Sequence, residues 1–301
     1  MKKPKERKTP LFGVAGNPPN FWESKYSKER ANSPEWLDSI GLDALEIQCT
    51  FGVRMPKERA ELFKKNSKRF GITLSIHAPY YITLGTNDKK KTDNSINEII
   101  KAVKLAQAIN SKRIIFHPGG MSGTREEARA LAIKTLQRTE KECDMKDVKL
   151  FPEIAGKVGQ FGSFEDVLEI CKNVKSAYPC LDLAHLHARQ HGSLIKKEDF
   201  EKVIDEVEKV GKNSLDFLHI HFYPVEWTEG GEKKHKKFSD RKPKSNQLSL
   251  ISNEDDRFYP RYEPFLDLVI ERNLAPLIVC EARDSQDEGA LEMKKYYLEN
   301  K

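Results

Sequence analysis

The sequence predicts one α/β domain, a single (β/α)8 barrel with a long loop after strand 7, on three observations. Eight short apolar segments recur along the chain, each the length of a buried strand. Longer segments with helical spacing follow each of them except the last, the pattern of parallel strands with helices outside. The 301 residues contain no domain-length linker and no internal repeat, so the alternation runs through one unit.

Taken in order, the chain opens with MKKPKERKTP, read as a basic tail over residues 1–10, with the barrel domain over 11–301. No hydrophobic segment follows the tail, so it is not a secretory signal. Nor does any apolar run approach the roughly 20 residues that a membrane span needs, and no membrane partner is expected. The strands begin with LFGVAG from Leu11, ALEIQC from Ala44, TLSIHA from Thr73 and RIIFHP from Arg113. KLFPEI from Lys149, PCLDLA from Pro179, FLHIHF from Phe217 and PLIVCEA from Pro276 complete the set. Between them, Ser33 before Pro34 predicts an N-cap with proline at the first helical position, and Gly41 closes that helix. Thr124 and Glu127 have the spacing of a capping box. Ile96, Ile99, Ile100 and Val103 form one apolar stripe, and Phe200, Val203, Ile204, Val207 and Val210 another, both read as core. From Glu226 to Pro260 the rhythm breaks into a long polar segment holding GGEKKHKKF and DRKPKSN. A loop of that length inside a compact domain is usually functional or partly disordered, and this one leaves the barrel face where such folds keep their sites.

Composition limits the classes of function. Apolar residues make up 38% and charged residues 33%, which suits a globular protein with a highly charged surface. Lysine and arginine number 52 against 46 acids, and a net charge of +6 permits a nucleic-acid partner without requiring one. The five cysteines are odd in number and form no CxxC pair, so they read as small buried hydrophobes of a reducing cytoplasm.

The ionisable residues gather in one place. His77 ends the third strand, His117 the fourth, Glu153 the fifth, Asp182 the sixth and Glu281 the eighth. His219 and His221 lie in the seventh, His185 and His187 just beyond the sixth, and His235 in the long loop; only His191 looks like an ordinary loop residue. A lone histidine beside an apolar run is more often structural than a ligand. Here carboxylates and imidazoles converge on one barrel mouth, where bound dications would relieve the repulsion of their charged forms. The donors exceed what one tetrahedral ion uses, which points to a cluster. Two ions a few ångström apart suit phosphoester hydrolysis, because they can steady both the attacking and the leaving oxygens.

In this order IHAPYYITLG, FHPGG, FPEIAGK, CLDLAHLHA, HIHF and CEARD resemble blocks of the endonuclease IV family. Those are zinc-dependent apurinic/apyrimidinic endonucleases built as xylose isomerase-like TIM barrels. The resemblance runs from about Leu11 to Ala282 and rests on the ordered set. It implies a first zinc on His77, His117 and Glu153, and a second on Glu153, Asp182, His219 and Glu281 with Glu153 bridging. A third would sit on His185 and His235, and Glu153 and Glu281 would be the catalytic carboxylates. Manganese or iron could replace zinc. Where the family places an aspartate for the third ion stands Lys233, with Glu232 beside it; a charged lysine is no ligand, so either Glu232, His187 or His221 substitutes or the third site is lost. The resemblance further implies damaged double-stranded DNA as partner, Tyr80 at the DNA surface, and Arg54 in a loop that inserts side chains. It also implies cleavage 5′ to an abasic nucleotide; a cytoplasmic location and a monomer are expected beside it. The competing reading is a sugar isomerase or epimerase of the same superfamily, with Glu153, Asp182, His219 and Glu281 around one divalent ion and two carboxylates moving protons beside a carbonyl. A non-catalytic DNA- or metal-binding barrel is the third, supported by Lys233.

Overall fold

The computed structural model describes residues 9–241 and 260–301. All eight expected strands form. They are β1 (Leu11–Ala15), β2 (Ala44–Gln48), β3 (Thr73–His77), β4 (Arg113–Phe116), β5 (Lys149–Pro152), β6 (Cys180–Asp182) and β7 (His219–Phe222). After a hairpin of β8 (Val225–Thr228) and β9 (Gly231–His235) comes the last barrel strand, β10 (Leu277–Cys280). The parallel sheet runs β5-β4-β3-β2-β1-β10-β7-β6. Only single bridges, Leu150 with Ala177 and Glu153 with Cys180, span the remaining seam between β5 and β6. There Tyr178 N donates to Leu150 O at 2.8 Å and Ile154 N to Cys180 O at 3.3 Å, so the barrel is nearly closed.

Outside the sheet lie α1 (Pro19–Trp22), α2 (Ser33–Ser39), α3 (Lys57–Phe70), α4 (Lys89–Ile109) and α5 (Arg125–Glu142). Next come α6 (Phe164–Asn173), α7 (Leu183–Arg189), α8 (Lys197–Glu208), α9 (Tyr262–Glu271) and α10 (Gln286–Asn300). Thr124 and Glu127 form the expected capping box at the start of α5. Ser33 is not the cap of α2: it is already helical, and its hydroxyl donates to Arg30 O at 2.6 Å, because a 3₁₀ turn over Arg30–Asn32 leads straight into the helix. The stripes on α4 and α8 face the core, with Ile96, Ile99, Val103, Phe200, Val203, Ile204 and Val207 buried. A helix also follows the last strand, contrary to expectation. In α10, Ala290, Met293 and Tyr297 recur at helical spacing within an otherwise charged run that obscures the stripe.

The segment read as a loop from Glu226 begins instead as the hairpin β8–β9, with Val225 opposite His235 and Thr228 opposite Gly231. A short 3₁₀ turn over Phe238–Arg241 follows. The rest of the basic segment, 242–259, and the basic tail up to residue 8 lie outside the described residues. Inside the barrel the floor is apolar on two sides, Ala15, Ala44, Leu277 and Val279 on one and Ile115, Phe151, Tyr178 and Cys180 on the other. The larger core lies between sheet and helices. Among the described residues no helix is long and apolar enough to cross a membrane.

Candidate metal centre

Parallel strands of similar length end at one level, so their C-terminal residues meet around the barrel mouth. Glu153, immediately after β5 and 1% exposed, stands at the middle of that meeting. His77 Nε2 lies 3.0 Å from its Oε2 and His117 Nδ1 3.5 Å from the same oxygen. On the other side His221 Nδ1 is 3.2 Å from Glu153 Oε1 and 3.6 Å from Glu281 Oε1. His77, His117 and Glu153 form one group able to hold an ion, and Glu153, Asp182, His221 and Glu281 a second, sharing the Glu153 carboxylate.

The histidine of the second group is His221, where the sequence suggested His219. Both point into the barrel, but strand register separates them: His219 pairs with Cys180 and Leu277, His221 with Asp182 and Val279. His219 therefore lies one layer below the mouth, fully buried, with Nε2 3.0 Å from Glu46 Oε2. A deeper group of Cys180, His219 and His221 is also close enough to hold an ion, and it shares His221 with the mouth.

The third group is His185, Glu232 and His235. His185 Nε2 is 3.3 Å from Glu232 Oε2 and His235 Nε2 3.3 Å from Glu232 Oε1, so Glu232 supplies the carboxylate. Lys233 turns the other way and pairs with Glu226 at 2.6 Å. The hairpin reaches the mouth because β9 docks by its backbone on the segment after β5. Glu232 N donates to Gly156 O at 3.0 Å and Val158 N to Gly230 O at 3.1 Å. That approach needs two glycines. A Cβ on Gly231, whose φ is +93°, would sit 2.2 Å from Gly156 O, and one on Gly156 would sit 2.5 Å from His185 Cδ2 and 2.7 Å from Glu232 Cβ.

Ring orientation is fixed by the backbone. Nδ1 of His77, His185 and His235 donates to the carbonyls of Ala78 (2.9 Å), Ile154 (2.8 Å) and Glu281 (3.0 Å). Each ring then presents Nε2 to a carboxylate of the centre, the arrangement in which an imidazole offers its lone pair to a metal. Asp182 caps α7 by accepting from His185 N at 2.7 Å, and Tyr223 donates to its other oxygen at 3.2 Å. His187 joins none of these groups; its Nδ1 accepts from Leu194 N at 3.1 Å, a structural role.

Electrostatically the mouth is a balance of carboxylates and imidazoles. Burial alone would raise the Glu153 carboxyl, but His117, His221 and His77 hold it well below its usual range. The same balance lowers Glu232, where hydrogen bonds from His185 and His235 overcome burial. Glu281 is raised by burial, with the neighbouring Glu153 charge adding to it. Burial would lower His77, yet its bond to Glu153 carries it up to about 9, whereas His117 falls to about 4 because burial prevails there. Among the described ion pairs no lysine or arginine reaches Glu153, Asp182, Glu232 or Glu281. His117 Nδ1 is buried without a hydrogen bond of its own. Carboxylates met by imidazoles and by no lysine or arginine, with an idle ring nitrogen among them, fit divalent ions that favour oxygen and nitrogen donors.

Beside the centre, Tyr80 is 60% and Phe51 78% exposed, with ring centroids 6.1 Å apart at a near right angle. Arg54 is exposed and lines a cleft with Phe51, Arg30 and Gln48. Phe51 and Glu46 were not singled out from sequence, and His221 only as a substitute ligand for the third ion, not as a member of the second group. Phe51 had a signal, a large apolar residue in a polar loop just past a strand end.

The xylose isomerase-like TIM barrel family profile matches residues 34–299. The chain belongs to this family. Within it, uncharacterized protein MJ0133 of Methanocaldococcus jannaschii is 30% identical over 290 residues, 95% of this chain and 96% of that one. "Probable endonuclease 4" of Aquifex aeolicus is 27% identical over 172 residues; the match takes in 55% of this chain and 60% of that relative's length. Among solved structures, a D-tagatose 3-epimerase-like protein superposes with a TM-score of 0.67 at 18% identity, covering 96% of this chain and 97% of the other. Endonuclease IV from Thermus thermophilus superposes with a TM-score of 0.66 at 17% identity, covering 97% and 100%. At such identities the likeness speaks for the shared barrel alone, and it does so equally for both neighbours.

Proposed function

We propose that the chain is a metal-dependent phosphodiesterase that hydrolyses DNA on the 5′ side of an abasic nucleotide, with two or three zinc ions at the barrel mouth. The observation that carries this reading is the third donor group. His185, Glu232 and His235 gather beside the Glu153-centred groups although Lys233 occupies the position where the family has its aspartate. A centre built for one ion has no use for that group, nor for His77 and His117.

Bound ions would polarise the phosphate and make a water molecule nucleophilic at neutral pH. The chain's own residues do the rest. Glu153 ties two donor groups together through one carboxylate, which sets their separation. Backbone carbonyls hold His77, His185 and His235 with Nε2 inward. Phe51 and Tyr80 offer stacking faces next to the centre, and Arg54 a charge for a phosphate, a combination suited to extruded or single-stranded nucleotides. Extrusion costs least where no base must be unpaired, which gives selectivity for an abasic sugar. A second reading keeps one observation in its favour: Glu153, Asp182, His221 and Glu281 are by themselves a complete set for one ion, as a sugar epimerase would need.

The test is incision of a duplex carrying one tetrahydrofuran abasic analogue, without added magnesium. Because the analogue blocks β-elimination, a cut on its 5′ side is hydrolytic. Glu153→Gln and His117→Ala should each slow that cut by roughly 100-fold or more, since even groups that merely orient ligands cost about 10- to 100-fold. Wild-type rates in either variant would sink the assignment. A single tightly held ion, with epimerisation of a ketose and no incision, would favour the second reading.

A further inference from the structure

Below the mouth, Glu46 on β2 is a fully buried carboxylate that no donor group among the described residues includes. Its surroundings consist of hydrogen-bond donors. Ser75 Oγ donates to Oε2 at 3.0 Å and Gln48 Nε2 to Oε1 at 3.3 Å. His219 Nε2 is 3.0 Å from Oε2, and His221 Nε2 is 3.2 Å from Oε1 and 3.3 Å from Oε2. Four donors fill the roughly four lone-pair sites that a carboxylate offers. An ionised carboxylate has no hydrogen to give, so the nitrogen that His221 turns toward it must carry one. The lone pair of a neutral His221 ring then lies on Nδ1, the atom that faces Glu153 and Glu281.

From this we infer that Glu46 is a positioning residue of the metal centre: with His219 and Ser75 holding it in place, it sets the tautomer and tilt of His221 so that Nδ1 meets an ion held by Glu153, Asp182 and Glu281. The inference rests on the metal reading above and extends it one layer into the barrel. A carboxylate behind a ligating histidine fixes the ring and raises its basicity, and losing such a partner typically weakens metal affinity by about 10- to 100-fold. Three strands contribute to the relay, β2, β3 and β7, so the barrel floor and the proposed ion centre are mechanically joined at His221.

Two measurements test it. The first is long-range ¹H–¹⁵N correlation on zinc-loaded wild-type protein labelled at histidine. The expected signature for His221 is a protonated Nε2 and a metal-bound Nδ1; a protonated Nδ1 would overturn the proposal without any variant having to fold. The second is chelator competition with zinc for the wild type and for Glu46→Gln, in which an amide N–H₂ would oppose the Nε2 hydrogen of one histidine. One ion should be held about 10- to 100-fold more weakly in the variant, the others unchanged. Unchanged affinity for every ion in Glu46→Gln overturns the positioning role alone, whereas a wild-type protein that holds no zinc overturns the metal reading with it. With cobalt in place of zinc, a thiolate charge-transfer band would put an ion on Cys180 and His219 instead, and would likewise overturn it.

Discussion

His219 and His221 are two positions apart, and in a strand that spacing moves a side chain about 6–7 Å along the same face of the sheet. In the proposed centre this distance separates a ligand from a support. His221→Ala should therefore remove one ion from the protein and slow incision by roughly 100-fold or more, as expected for a lost donor. His219→Ala should keep the full metal content, because its imidazole meets only Glu46 and the deeper layer. Metal analysis after gel filtration in the presence of a weak chelator reads both. Loss of an ion from the His219 variant, with retention in the His221 variant, would return the ligand to the residue that sequence suggested. Alternation could place both histidines inward, but the register against β6 and β10 decides between them, and register is a property of the assembled sheet. Glu46 was illegible for the same reason. It is a single acid in an apolar run, and its partners Ser75 and His219 lie 29 and 173 residues away along the chain. By contrast His77, His117, Glu153, Asp182 and Glu281 were visible as a set, since each follows directly from the end of a recognisable strand.

At the scale of elements, the hairpin β8–β9 is the part of the molecule that sequence described least well. GEKKH has neither apolar alternation nor strong strand propensity, and nothing in its composition separates it from a solvated charge run. It is a strand because its backbone is taken up on both sides: by β8, and by the stretch after β5 through the bridge between Lys157 and Gly231. The eight barrel strands needed no such help, because burial on both faces wrote apolar runs into their sequences. Docking of the hairpin puts Glu232 within reach of His185, and Gly156 leaves the room for it. Gly156→Ala should therefore push the two donors apart. The expected result is a folded protein with one ion fewer than wild type, and incision reduced by about tenfold or more, since the third donor group loses its geometry. Circular dichroism and metal content check this together. A Gly156→Ala protein with wild-type stoichiometry would show that the hairpin is not held in place by this contact.

For the whole molecule, the donor groups of the mouth and the weakest point of the barrel coincide. Around the sheet every neighbouring pair of strands is joined by a ladder except β5 and β6, which meet only through isolated bridges. Glu153 follows β5 and Asp182 ends β6, and both belong to the same donor group. An ion held by the two carboxylates would fasten the seam from above. Binding that occurs only in the closed state stabilises that state by about 2.7 kcal/mol at a free ion concentration 100 times the dissociation constant. Opening of the seam should then become roughly 100-fold more frequent once the ions are stripped, at an energy well below that of global unfolding. Native-state hydrogen exchange offers the direct reading. After chelation the amides of Tyr178 and Ile154, which donate across the seam to Leu150 and Cys180, should lose about two orders of magnitude of protection. Those of Val14 and Leu45, in the fully laddered β1–β2 pair on the far side, should change much less. Equal loss of protection on both sides would mean that the ions stabilise the barrel as a single cooperative unit, and that the seam is not where they act.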